Sequence, residues 1–295
     1  MSKRITSADH LRAQAEQASA QMPALLAKAD QLARGMMMGG HGRKRAGRGG
    51  EFWQYRPAQA GDPARSIDWR RSGQSDEIFV REHEWQSAQS VHFWCDRSAS
   101  MQFSSLTDHT PKMDRAAVLT LALSMVLMDG GERVALDALG TPPRRGADHL
   151  RHMAQALCEP QDLEHGTPDV AAYQPQAHAV FVSDFLGPIA PIERAVSLAV
   201  ERGMRGVLLQ ILDPAEEAFP YQGRTVFTSM GGAVSHETLR AGDLKSRYLD
   251  RLVARKDALQ HLATQAGWHY GCHHTDAPAR VGLSWVFHAL DGGAR

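Results

Sequence analysis

A chain of 295 residues that is 43% hydrophobic and 22% charged can bury a sizeable core, as one large domain or two modest ones. Lys+Arg 33 against Asp+Glu 33 leaves no net charge, which argues against bulk attraction to nucleic acid or to an acidic membrane. Cys95, Cys158 and Cys272 lie far apart and form no CxxC pair, so neither a zinc ribbon nor a disulfide framework is supported.

Cys95 reads as a small buried strand residue, which suits a reducing compartment. No apolar segment follows Met1-Ser2-Lys3-Arg4 and no run reaches about 18 apolar residues, so neither a signal peptide nor a transmembrane helix is expected. The expected location is cytoplasmic.

In chain order, residues 7 to 35 read as helix, with Ser7 as cap and a second segment starting at Pro23 that carries Leu25, Leu26, Ala29, Leu32 and Ala33 on one face. Gly35 and Gly39-Gly40 are its expected stops, and Met36-Met37-Met38 is expected to fill gaps in the core. Residues 39 to 50, rich in glycine and arginine, read as a connector, because no strand precedes them to make a phosphate-binding loop. Arg65, Asp68 and Arg71 would share a face if their segment is helical, and residues 78–85 alternate as a half-exposed strand does. Trp53, Trp69 and Trp85 are expected as packing anchors.

From residue 91 the pattern becomes strand and helix in turn. Strands are predicted at 91–95, 132–139, 179–184 and 206–212, and helices at about 112–128, 147–157 and 190–202. Val226-Phe227 reads as an edge strand, 243–266 as a long helix, 268–272 as a last strand and 278–290 as a final helix. Short apolar strands alternating with helices predict an α/β fold, a doubly wound, mainly parallel sheet covered on both faces. The expected organisation is a helical segment at 1–38, an irregular elaboration at 39–90 and the α/β domain at 91–295. His269, His273 and His274 form a histidine cluster whose ligand list is too short to make a metal site on its own.

Ligands of such a sheet gather beyond the carboxyl ends of its strands. Asp96 ends the first strand of the series and Asp184 the third, with Ser98 and Ser100 between them and Thr167 in the loop before the third strand. Two acids and three hydroxyls are hard oxygen donors, suited to Mg²⁺ or to Mn²⁺ or Ca²⁺, with a position left open for a partner's carboxylate.

Asp96-x-Ser98-x-Ser100, followed by Thr167 and Asp184, resembles the metal-ion-dependent adhesion site of von Willebrand factor A domains. Gly49-Gly50-Glu51-Phe52, Tyr55-Arg56, Gly61-Asp62, Arg65, Ile67-Asp68-Trp69 and Asp213-Pro214-Ala215-Glu216 resemble the bacterial family called domain of unknown function 58. The resemblance runs from about residue 35 to 290. It implies a von Willebrand factor A-like domain with an N-terminal elaboration, and a MoxR-type AAA+ ATPase as partner. The segment from Thr167 to Asp184 is short for a full helix.

The expected function is therefore a non-enzymatic binding module that engages an acidic group of a protein partner through a divalent cation. The alternative is a metal-dependent phosphohydrolase with Asp96 as nucleophile. A haloacid-dehalogenase-type site wants a second aspartate two residues on, and Ser98 stands there, leaving no evident general acid. A third reading, nucleic-acid contact through Arg43, Lys44, Arg45 and Arg48, is opposed by the zero net charge.

Overall fold

The computed structural model describes residues 22–37, 52–58, 67–73, 77–83, 89–105, 110–232 and 235–291. The helix expected before residue 22, Met38, the basic connector, Gly61-Asp62, Arg65 and Trp85 lie outside the described residues.

Helix α1 occupies 22–37, passing through Gly35 without stopping. Strands β1 (Phe52–Pro57) and β2 (Phe79–His83) pair antiparallel, with the short helix α2 (Trp69–Ser72) between them. Asp68 does not share a helical face with Arg71. It precedes α2 as N-cap, its carboxylate accepting the N–H groups of Arg70 and Arg71 at 3.1 Å each. Trp69 is 64% exposed and is no packing anchor.

The main domain then runs β3 (Ser90–Cys95), α3 (Lys112–Asp129), β4 (Arg133–Leu136), α4 (Ala147–Cys158), β5 (His178–Ser183), α5 (Ile189–Glu201), β6 (Arg205–Leu212) and α6 (Pro214–Ala218). It ends with β7 (Thr225–Thr228), β8 (Ser235–Thr238), α7 (Lys245–Ala266), β9 (His269–His274) and α8 (Ala279–Leu290). The strand predicted over 132–139 is shorter, because Asp137–Leu139 turn into a 3-10 segment closed by Gly140 in the left-handed region at φ 56. Val226-Phe227 belong to a separate β7–β8 hairpin and not to an edge of the main sheet.

The sheet order is β4-β3-β5-β6-β9, all parallel. An α/β fold follows, as the alternating pattern predicts. Alternate side chains of β3 serve opposite faces. Val91, Phe93 and Cys95 pack with residues of α1, α3, α4 and α8, whereas Trp94 joins Ala179, Phe181, Leu208 and residues of α5 and α7. Helix α1 contributes Leu25, Ala29 and Ala33 to the first of these clusters, and Met36 packs against it while Met37 is exposed. On the other face Phe181 stands edge-on between Trp94 and Trp268, with centroids 5.8 and 5.3 Å away. Burying such a ring contributes about 1.5–3 kcal/mol.

The chain leaves β3 to one side for β4 and returns past it to β5 on the other. The crevice between the carboxyl ends of β3 and β5 is therefore the switch point, where an open parallel sheet receives ligands.

Candidate functional site at the switch point

Asp96 and Asp184 leave the sheet at this crevice, and both are 1% exposed. The Asp96 N–H donates to the Val182 carbonyl at 2.8 Å, which continues the β3–β5 ladder and aims the carboxylate into the crevice. Its Oδ1 accepts the Ser98 N–H at 2.9 Å and its Oδ2 accepts the Ser183 hydroxyl at 2.6 Å. A short 3-10 segment, Ala99–Gln102, follows. It returns Ser100 beside Ser98, both buried, with their Oγ atoms 3.3 Å apart. Arg97 turns the other way, donating to the carbonyls of Ala156 and Glu159 at 2.6 and 2.9 Å. Among the described residues no lysine, arginine or histidine forms an ion pair with Asp96.

Asp184 is served differently. Lys112, the first residue of α3 and 1% exposed, donates to Asp184 Oδ2 at 2.8 Å and to Glu216 Oε1 at 2.6 Å. Burial alone would raise the Asp184 carboxyl, but the Lys112 ammonium outweighs it and holds that carboxyl below the usual carboxylate range. Burial likewise opposes the charge on Lys112, and the two carboxylates overcome it and raise its pKa. Glu216, with burial dominant, is raised. Asp184 Oδ1 also accepts the Leu186 N–H at 3.0 Å, and the Asp184 carbonyl accepts Gln210 Nε2 at 2.7 Å.

Glu216 owes its position to a capping box at the start of α6. The Asp213 carboxylate accepts the Ala215 N–H at 2.8 Å, while Glu216 Oε2 accepts the Asp213 N–H at 2.8 Å. Asp-Pro-Ala-Glu is a readable capping sequence. That it would aim Glu216 at a lysine over a hundred residues earlier in the chain was not readable, and neither Lys112 nor Glu216 was anticipated as a site residue.

The structure brings Asp96, Ser98, Ser100 and Asp184 to one crevice. Thr167 is exposed and is held by no hydrogen bond among the described residues, and no helix forms between it and β5. Its neighbour Gly166 is buried against the site. A Cβ there would lie 2.4 Å from Asp96 Oδ1 and 3.2 Å from Trp94 Cζ2, so only glycine lets the loop close over the carboxylate.

The donors suit a hard cation by their chemistry. Ser98 and Ser100 present hydroxyls beside the buried Asp96 and Asp184 carboxylates, oxygen donors of the kind a divalent ion takes.

The family described as "Protein of unknown function DUF58" matches residues 54–255. The chain belongs to the DUF58 family. Uncharacterized proteins of Mycobacterium tuberculosis and Mycobacterium bovis are each 28% identical to it over 218 residues, 69% of this chain and 68% of theirs. Among solved structures, the conserved hypothetical protein BatB from Bacteroides thetaiotaomicron has a TM-score of 0.39 at 13% identity, covering 70% of this chain and 100% of that one. An aerotolerance-related membrane protein from Bacteroides fragilis, with multiple mutations to serines, has a TM-score of 0.42 at 14% identity, also covering 70% and 100%. At those scores neither likeness carries an argument about this DUF58 chain. No helix among its described residues is long and apolar enough to cross a membrane.

Proposed function

We propose that this DUF58 protein is a non-enzymatic binding module that captures an acidic group of a partner protein through a divalent cation, Mg²⁺ in the first instance. Asp96, Ser98 and Ser100 would hold the ion, with Asp184 behind them. Thr167, one residue beyond Gly166, is the hydroxyl that would turn inward to join. The cation would supply positive charge at an open coordination position, and the partner's carboxylate would complete the shell.

The observation that carries this reading is the Asp96 carboxylate, 1% exposed and without an ion-pair partner among the described residues, beside two buried hydroxyls. A buried charge left in that state is costly unless a counter-ion arrives. The rim supports docking. The Gly231 N–H donates to Glu164 Oε2 at 2.8 Å, which brings the turn after β7 against the α4–β5 loop that carries Gly166 and Thr167, with Leu163 and Met230 exposed. A MoxR-type AAA+ ATPase is the partner implied by the motif resemblance, and the cytoplasm is the compartment proposed for the encounter.

The experiment measures Mg²⁺ or Mn²⁺ binding and capture of a purified MoxR-type ATPase, for wild type and Asp96→Ala. Cation binding and cation-dependent capture, both lost in Asp96→Ala with the melting behaviour retained, are the expected results. Capture indifferent to chelator and to the substitution would sink the reading. A phosphatase activity lost in the same variant would replace it with the hydrolase alternative.

A further inference from the structure

A second set of potential ligands lies on the far side of α6. Glu216 points inward to Lys112, and the next residue, Glu217, points outward to the edge strand β9. Cys272 and His274 stand two apart on that strand and so share a face, while His273 between them is turned to the core. One ligand atom from each of Glu217, Cys272 and His274 lies within 4.8 Å of the others. His274 Nε2 is 2.9 Å from Glu217 Oε2 but outside hydrogen-bond geometry, so this buried ring nitrogen has no hydrogen-bond partner among the described residues. The Lys256 ammonium contacts Glu217 and is 27% exposed at its side chain.

We infer that Glu217, Cys272 and His274 form a zinc-type site, separate from the Asp96 crevice, with a fourth position open to water. A carboxylate oxygen, a thiolate and an imidazole nitrogen are each donors that zinc accepts, whereas magnesium and calcium prefer oxygen alone. Bond lengths of about 2.0–2.3 Å place tetrahedral donors roughly 3.3–3.8 Å apart. The present set, whose donors lie within 4.8 Å of one another, must draw in to reach that spacing on binding. On binding, the Cys272 thiol releases its proton to solvent and the Lys256 ammonium gives up Glu217 and moves out to water.

Cobalt reports on thiolate ligation directly. Titration of the full chain with Co²⁺ is expected to give a thiolate-to-cobalt charge-transfer band and tetrahedral d–d bands, which Zn²⁺ then bleaches. Cys272→Ser should remove the charge-transfer band, and Glu217→Gln or His274→Gln should weaken cobalt binding by at least about 10–100-fold, the loss typical of even an outer partner. Lys256→Met should tighten it, and Asp96→Ala should leave it unchanged, which keeps this site distinct from the proposed docking site. Cys95 and Cys158 are buried and do not compete. Absence of the band in wild type, its persistence in Cys272→Ser, or no gain from Lys256→Met would overturn the assignment.

Discussion

Gly166 has no side chain because the Asp96 carboxylate and the Trp94 ring occupy the space a Cβ would need. Gly166→Ala must therefore move either the carboxylate or the loop. The expected result is weakened Mg²⁺ binding with a stability loss of about 1–3 kcal/mol, the usual cost of overpacking, read by cation titration and denaturant melts. Unchanged binding would mean that the loop does not hold Asp96 in place. His92 reports on a different environment. It is buried, stacked on Tyr173 at 4.5 Å between centroids, and its Nε2 accepts the Gln174 N–H at 3.1 Å. Burial pushes its pKa down to about 4. An unfolded histidine titrates near 6.5, so from about pH 6.5 to 4 the unfolded chain binds the extra proton and stability rises with pH. Urea melts across that window should show stability falling with acid, with a His92 share on the order of 1–3 kcal/mol. His92→Gln should remove that share, and identical pH slopes in the two proteins would refute it.

Lys112 ties three elements together, as the first residue of α3 bound to carboxylates that follow β5 and lie in α6. Lys112→Met leaves both carboxylates buried without their ammonium, a loss expected to cost about 3–5 kcal/mol. A lowered denaturation midpoint, partly restored by adding Glu216→Gln, is the expected result, and a midpoint equal to wild type would show the ion pair to be dispensable. These elements also mark what could be read from the sequence. Helices α3, α4, α5 and α8 and strands β3, β5 and β6 stand within one or two residues of their predicted ranges, because the strands are short continuous apolar runs and the helices longer apolar segments, each bounded by turn residues. Asp96, Ser98 and Ser100 could be read as a group because they are close in sequence and follow an apolar run. Lys112 could not, since a lysine at a helix start ordinarily reads as solvated. The pairing of Glu217 with Cys272 and His274 depends on β9 lying beside β6, an adjacency that the sequence does not encode locally. The β7–β8 hairpin was missed as a separate unit because Ser235–Thr238 is polar and shows no burial pattern.

At the scale of the molecule, α1 is part of the core and not an appendage. Leu25 is 9% exposed, Ala29 0% and Ala33 3%, all in the cluster that includes Val91, Phe93 and Leu119. Leu25→Ala should cost about 2–5 kcal/mol, and a chain beginning after residue 37 should lose far more, exposing the α1-facing side of that cluster. Differential scanning calorimetry of both would decide it. A truncated chain melting as the full one does would show that the sheet domain stands without α1.

The central place of β3 also bears on the order in which the fold can be completed. It is the first of the five sheet strands to leave the ribosome, yet its neighbours β4 and β5 pair with it across Arg133–Leu136 and His178–Ser183. Until residue 183 has emerged, one edge of β3 stays open, presenting Val91, Phe93 and Trp94 on an unpaired strand. Unpaired apolar strands of this kind invite association with other nascent chains, so the crevice that holds Asp96 is also where β3 gains its second neighbour during synthesis.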